Sequence, residues 1–342
     1  MKYMKIISIL AAALFIVSGC DFFLTPPRGR ENPNDPDNPA PGLNSFAAYG
    51  FSANSIKFEW DFPEDIGNPP NVVVIRNASR EPEFIDDGTV AYDGPSEAGE
   101  EEGFYTAFDE SAETESDYYF AIWSYTTVDG ENFYKGPLYD TATTRLHVVD
   151  IMPMDDGYAY YDSSMTPPSD YGINNISSFM DLYYDSIIHV SYILLSFDFY
   201  GTPKFGELVS AELNLYFMYP GMAGSWEVAV NRITQSWDWN EGSAGSPTLI
   251  SNIQANSFAD FCDITSGDTI TLTDSVSDMY YSWNISDIIQ SWMIYGEPIE
   301  GIIVRKVASD TTYLTFNSIE SADEWYQPYL QISYYGDDPP DM

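Results

Sequence analysis

What most constrains this chain's fold is a local pattern repeated along it. From Leu43 onward, short segments rich in β-branched and aromatic residues alternate with clusters of Gly, Pro, Asn and Asp: SIKFEW, NVVVIRN, YYFAIWSY, AELNLYF, WEVAVNRI, GIIVRKV, YLTFNSI and PYLQISYY. Runs of this length and punctuation are strands and turns. In SIKFEWDF, Ile56, Phe58 and Trp60 alternate with polar partners, which gives one buried face. In DYYFAIWSYTTVDGENFYKG, Tyr118, Phe120, Ile122 and Ser124 share a face, and Asp129-Gly130 supplies a tight turn into the next strand. Helical spacing occurs persuasively only in ISDIIQSWMIYG. There Ile285, Ile288, Ile289 and Trp292 fall on one side and Gly296 ends the run. The pattern predicts an all-β protein with one short helix, its strands packed as sandwiches rather than parallel sheets.

The first residues follow a different rule. Lys2 and Lys5 precede an apolar run from Ile6 to Val17, which is too short for a bilayer span of about 20 residues. It has the form of a secretory leader's h-region behind a basic start. Val17-Ser18-Gly19-Cys20 resembles a bacterial lipobox, in which the cysteine becomes the new N-terminus and carries acyl chains. Residues 1–19 are therefore read as a lipoprotein signal peptide and Cys20 as the lipidated residue. Residues 20–42 are proline-rich and polar, without hydrophobic periodicity, and read as a tether. The expected location is the bacterial cell envelope, at the outer membrane or cell surface.

Charge narrows the partners. The chain carries 13 Lys and Arg against 53 Asp and Glu, a net of −40. Loss of Lys2 and Lys5 with the leader makes the mature chain more acidic still. Such a surface repels phosphate backbones, so nucleic acid is not an expected partner. The acidity does not signal disorder, because 16% of the residues are aromatic. With Cys20 assigned to lipid, Cys262 is left alone, which excludes an intramolecular disulfide or a cysteine zinc cluster. Its surroundings, FADFCDI, read as those of a small buried hydrophobe.

Two domains are expected. Residues 43–144 resemble a fibronectin type III domain. Trp60 stands where that family places a core tryptophan on its second strand, and Tyr118 where it places the tyrosine of its strand F corner. TVAYDG and FYTAFDE resemble its middle strands. The resemblance implies a sandwich that commonly serves as a spacer. Residues 145–336 carry an ordered series of landmarks: Asp155-Asp156-Gly157-Tyr158-Ala159, Asp170-Tyr171-Gly172, YILLSFDF, LVSAELNLYF, VNRITQSWDWNE, WNISDIIQSWMIYG, GIIVRKV and TFNSIESADEWYQPYLQISYY. This series resembles the DNRLRE domain, also classed as carbohydrate-binding module family 96. The resemblance implies a jelly-roll-like β-sandwich of the kind attached to secreted polysaccharide-degrading enzymes and surface proteins. The basic residue that often precedes the Phe-Asp strand in that family is absent here, where Tyr192-Ile193-Leu194-Leu195 takes its place. Residues 337–342 form an acidic tail.

A search for catalytic chemistry returns little. Histidine occurs only at His147 and His189, and His189 in DSIIHVSYILL reads as structural. The nucleophile elbow, the zinc-protease helix motif and the phosphate-binding loop are all missing from the sequence. No catalytic residue is assigned. Loop carboxylates in acidic sandwiches can hold Ca²⁺, and Asp155, Asp156 and Asp162 are the candidate metal ligands, against the simpler reading of a solvated acidic stretch. Sugar rings stack on Trp or Tyr beside Asn, Asp or Gln. Trp237-Asp238-Trp239-Asn240 and Glu324-Trp325-Tyr326-Gln327 have that character. Trp239, Trp325 and Tyr326 are the candidate carbohydrate-binding residues, while Trp237, Trp283 and Trp292 are assigned to the core. The expected function is non-catalytic: an envelope lipoprotein gripping polysaccharide through its second sandwich. A structural or adhesive lipoprotein making protein contacts is the alternative, and a polysaccharide hydrolase or lyase is the minor one.

Overall fold

The computed structural model describes residues 41–63, 69–99, 103–162, 172–174, 179–186, 189–199, 205–220, 223–235, 261–274, 278–293, 295 and 297–336. The expected leader, Cys20, Trp237, Trp239, Gly296 and residues 337–342 lie outside these residues. The described residues are all-β with one short α-helix, and the chain divides into two compact units, the first drawn mainly from residues up to Ala142 and the second from Thr143 onward together with Gly50–Asn54 and Glu113–Glu115.

The first unit holds eight strands: β1 (Ser45–Ser52), β2 (Ser55–Asp61), β3 (Asn71–Asn77), β4 (Thr89–Pro95), β5 (Glu97–Ala98), β6 (Phe104–Asp109), β7 (Asp117–Val128) and β8 (Glu131–Thr143). They form two four-stranded sheets, β1-β2-β6-β5 and β4-β3-β7-β8. Between the sheets lie Ile56, Phe58 and Trp60 from β2, Val72 and Val74 from β3, and Tyr118, Phe120 and Ile122 from β7. The buried side chains recur at every second position, because successive strand residues point to opposite faces. The Trp60 indole N–H donates to Ser96 Oγ (3.2 Å), so even this buried ring keeps a polar partner. Asp129 and Gly130 both adopt positive φ (53° and 82°), the conformation a two-residue hairpin turn demands between β7 and β8.

One ion pair ties the two sheets together. Arg76 at the end of β3 bonds the buried carboxylate of Asp109 on β6. Its guanidinium also lies 4.7 Å from the centre of the Tyr118 ring. Asp109 Oδ1 accepts from the amide and hydroxyl of Ser111 (2.9 and 2.7 Å), so the buried charge is well bonded. The alternation argument missed one feature of this unit. Val73, Ile75, Ala121, Trp123 and Tyr125 form a second buried cluster with Tyr134, on the other face of β3 and β7. Those two strands are thus buried on both sides.

The second unit holds β9 (His147–Ile151), β10 (Asp155–Asp162), β11 (Gly172–Asn174), β12 (Phe179–Ser186), β13 (His189–Ser196), β14 (Phe205–Pro220), β15 (Ser225–Ile233), β16 (Cys262–Asp263), β17 (Thr269–Thr273) and β18 (Met279–Asn284), then α1 (Ser286–Met293), β19 (Ile302–Lys306), β20 (Asp310–Asn317) and β21 (Tyr329–Gly336). The thirteen strands form one antiparallel network with the main order β16-β15-β19-β13-β12-β20-β14-β21-β9. β18 pairs along β14, β17 along β15, and β10 along β13. A single core drawn from nearly all of these strands shows that the network doubles over on itself. Trp283 of β18 crosses that core: its indole N–H donates to the Val228 carbonyl of β15 (2.9 Å).

The helix buries the predicted face. Ile285, Ile288, Ile289 and Trp292 are all in the core. Cys262 is buried, as its apolar surroundings predict, and burial pushes its thiol up to about 12, so it stays protonated at neutral pH. Near it, Gly267 holds φ +72° with the Val230 carbonyl 2.2 Å from where a Cβ would sit, a place only glycine can fill.

Candidate functional site

The outer face of β18, β14 and β21 is built by strand alternation. Leu213, Leu215 and Phe217 of β14 point into the core. Glu212, Asn214 and Tyr216 therefore point outward. Register aligns Tyr216 with Tyr280, Asn214 with Ser282 and, across the other edge, Asn214 with Tyr329. Opposed residues share a face, so Tyr216, Tyr280 and Tyr329 gather on one outer patch. The rings of Tyr216 and Tyr280 meet edge-on at 5.3 Å, and those of Tyr280 and Tyr329 at 5.2 Å. Below them, Ser282 Oγ donates to Asn214 Oδ1, which gives the patch a polar floor.

A loop between β20 and β21 covers one side of this patch. Residues Glu324–Tyr326 make one turn of 3-10 helix, capped by Asp323, whose Oδ1 accepts the Trp325 amide (3.2 Å). Gln327 pins the loop from inside, its Nε2 donating to the carbonyls of Ile319 (2.6 Å) and Ser321 (3.2 Å). The Tyr280 hydroxyl lies between the carbonyls of Trp325 (2.9 Å) and Gln327 (2.8 Å), its single proton shared between them. Tyr326 is brought against Tyr216, ring centres 4.4 Å apart. Trp325 is 84% exposed, the most exposed large apolar side chain among the described residues. Such exposure in a turn fixed by five hydrogen bonds is a feature the core has no use for.

Electrostatics on the patch run one way. Burial, then the neighbouring rings and Asp323, push the Tyr280 phenol up to about 12. Tyr216 is raised by burial, Tyr326, Asp278 and Asp323. Tyr329 is raised by burial, Asp150 and Glu212. All three phenols are neutral donors at physiological pH.

The same loop meets a second group of acids. Asp156, only 2% exposed, accepts the Ile319 amide on Oδ2 (2.7 Å), while its Oδ1 accepts no hydrogen bond. Burial pushes its carboxyl up to about 8; the Ile319 bond opposes this, and Glu320 and Asp155 add to it. Glu320 Oε2 accepts from Ser318 Oγ (2.8 Å). Asp156 is therefore an acid that burial keeps protonated through neutral pH.

The expected metal ligands do not converge. Asp155 and Asp156 are adjacent on β10, so their side chains leave opposite faces. Asp162 lies six residues further along the strand, about 20 Å away, and its side chain is outside the described residues. Among the described residues no group of three acid, His or Cys side chains could hold a metal ion. Of the candidate sugar-binding residues, Trp325 and Tyr326 sit together on the surface, while Trp239 lies outside the described residues. Tyr216, Tyr280 and Tyr329 were missed by the sequence reading. Their signal is an aromatic at the outward position of a strand where alternation calls for a polar side chain.

The chain matches no protein-family model and no curated protein. Among solved structures it is similar to an alpha-L-rhamnosidase from Dictyoglumus thermophilum (9% identity, TM-score 0.26), covering 87% of this chain and 29% of that one. It is also similar to a structure of domains CD, residues 230–489, of another protein (8% identity, TM-score 0.18), covering 87% of this chain and 98% of that one. At these scores neither likeness carries an argument. This chain spans less than a third of the rhamnosidase.

Proposed function

We propose that this protein is a non-catalytic lipoprotein of the bacterial cell envelope, anchored through Cys20, whose second sandwich binds polysaccharide and whose first acts as a spacer. One observation carries the reading: Trp325, held by a capped turn, stands in solvent, and its neighbour in that turn, Tyr326, packs on Tyr216. An exposed indole next to tyrosines and amide side chains can stack on the C–H face of a pyranose while polar neighbours bond its hydroxyls. The resemblance of residues 145–336 to carbohydrate-binding module family 96 points the same way, and the basic leader ending at Cys20 supports anchoring.

The absence of catalysis is part of the proposal. A glycosidase needs two carboxyl groups about 5 to 9.5 Å apart that face substrate across a cleft. Glu320 acts electrostatically on Asp156, but Asp156 is enclosed and occupied with the Ile319 amide.

A glycan array probed with the full chain, with and without EDTA, tests the reading. Binding to at least one polysaccharide is expected in both buffers, because the aromatic patch needs no metal. Trp325→Ala should weaken that binding by about 2 kcal/mol or more, roughly thirtyfold. A chain that binds no glycan in either buffer contradicts the proposal and leaves the adhesive alternative.

A further inference from the structure

The aromatic patch is ringed by negative charge. Asp323 and Glu324 belong to the same turn as Trp325 and are exposed. Asp278 and Asp323 act electrostatically on Tyr216, Asp323 on Tyr280, and Asp150 and Glu212 on Tyr329. The patch is therefore bordered by carboxylates at its turn, just before β18, and on β14 and β9 beside Tyr329.

The described cations of the second unit sit on strands other than β14 and β18 or before β9. Arg232 on β15 is engaged with Asp263 and Glu297. Arg305 Nε donates to Asn231 Oδ1 (3.0 Å), and Lys306 is bound to Asp310 and the Thr312 carbonyl. Arg305 and Lys306 lie on β19, four strands from β14 in the order of the sheet. Arg145 precedes β9, whose first residue pairs with Tyr334, five residues along β21 from Tyr329 and so about 17 Å away. The Arg145 separation exceeds the Debye length of about 8 Å at physiological salt. Among the described residues of the second unit, the charged side chains acting on Tyr216, Tyr280 and Tyr329 are all carboxylates.

An aromatic face attracts a cation placed above it, and nearby carboxylates add to the attraction. The same field repels uronates and sulfate esters. Resting on the glycan-binding reading above, we infer that the patch takes a polysaccharide bearing protonated amino groups, an amino-sugar polymer with free rather than acylated amines. The sugar ring stacks on Trp325, and its ammonium lies toward Asp323, Glu324 and the tyrosine faces.

The test compares matched hexamers binding to the full chain: glucosamine, N-acetylglucosamine, a uronate, and a lysine oligomer of equal charge. At a pH that keeps the sugar amine protonated, the glucosamine hexamer should bind about tenfold tighter than the acetylated one, as two exposed charge contacts allow. At about 1 M salt, where the Debye length falls to about 3 Å, that preference should collapse. Asp323→Asn combined with Glu324→Gln should bring the ratio of the two affinities toward one; asparagine keeps the oxygen that caps the turn. Equal or tighter binding of the acetylated or uronate hexamer overturns this inference but leaves glycan binding standing. Equally tight binding of the lysine oligomer also overturns it, since charge alone would then suffice. Failure of every sugar to bind defeats the glycan reading itself.

Discussion

Asp156 shows how one side chain can set a protein's response to pH. Its carboxyl is raised to about 8 in the fold, against an ordinary value near 4 in the unfolded chain. The folded state therefore holds the proton more tightly. This group's stabilising contribution is complete below about pH 4 and is lost as pH rises toward 8. Asp156→Asn keeps an acceptor for the Ile319 amide and carries no charge. Urea melts at pH 5 and pH 8 should show a smaller loss of stability on alkalinisation in Asp156→Asn than in the parent. An equal loss in both would show that the group is not a buried acid. A second residue-scale expectation concerns Arg76. Arg76→Ala leaves the Asp109 carboxylate buried without its cation, which should cost about 3–5 kcal/mol in equilibrium unfolding. Adding Asp109→Ala should recover part of that loss, because the uncompensated charge is then gone.

At the scale of elements, the loop from Ser318 to Gln327 joins both acid chemistry and aromatic display. Asp156 holds it at Ile319, Gln327 at Ile319 and Ser321, and Tyr280 at Trp325 and Gln327. Tyr280→Phe removes one hydroxyl and keeps the ring. It should loosen the turn, seen as faster amide exchange at Trp325 and Tyr326, while changing global stability by only about 1 kcal/mol. Unaltered exchange would mean that the hydroxyl does not hold the turn.

Much at this scale was readable in the sequence, and the reason is periodicity. Ile56, Phe58 and Trp60 alternate cleanly, the spacing of Ile285, Ile288, Ile289 and Trp292 admits only a helix, and Asp129-Gly130 is a turn by its own conformational preference. The unread parts depend on distant partners. Asp156 gains its burial from a loop 163 residues away, which no local pattern encodes. Its grouping with Asp155 and Asp162 failed because neighbours in sequence diverge along a strand. Trp123 was passed over because both faces of β7 are apolar, and alternation cannot assign a face when every position is hydrophobic. Trp325 and Tyr326 stood out because polar residues flank them in a turn.

At the scale of the whole molecule, two sandwiches follow a basic, apolar segment, which we propose is a leader, and a proline-rich segment. Such an order suits a protein that holds a ligand at a membrane surface. If Cys20 carries the lipid, Cys20→Ser should move the protein from the membrane pellet to the soluble fraction. Unchanged partition would refute the anchor.

The central claim is that the Trp325 patch receives a sugar, and tryptophan fluorescence tests it most directly. Of the described tryptophans, Trp60, Trp123, Trp226, Trp283 and Trp292 are buried and Trp325 alone is exposed. Titrating the full chain with the glycan that the array identifies should shift the emission to the blue, saturably, as the exposed indole leaves water. Trp325→Ala should lose that shift while its melting temperature stays unchanged. An identical shift in Trp325→Ala would place the sugar elsewhere and contradict the account.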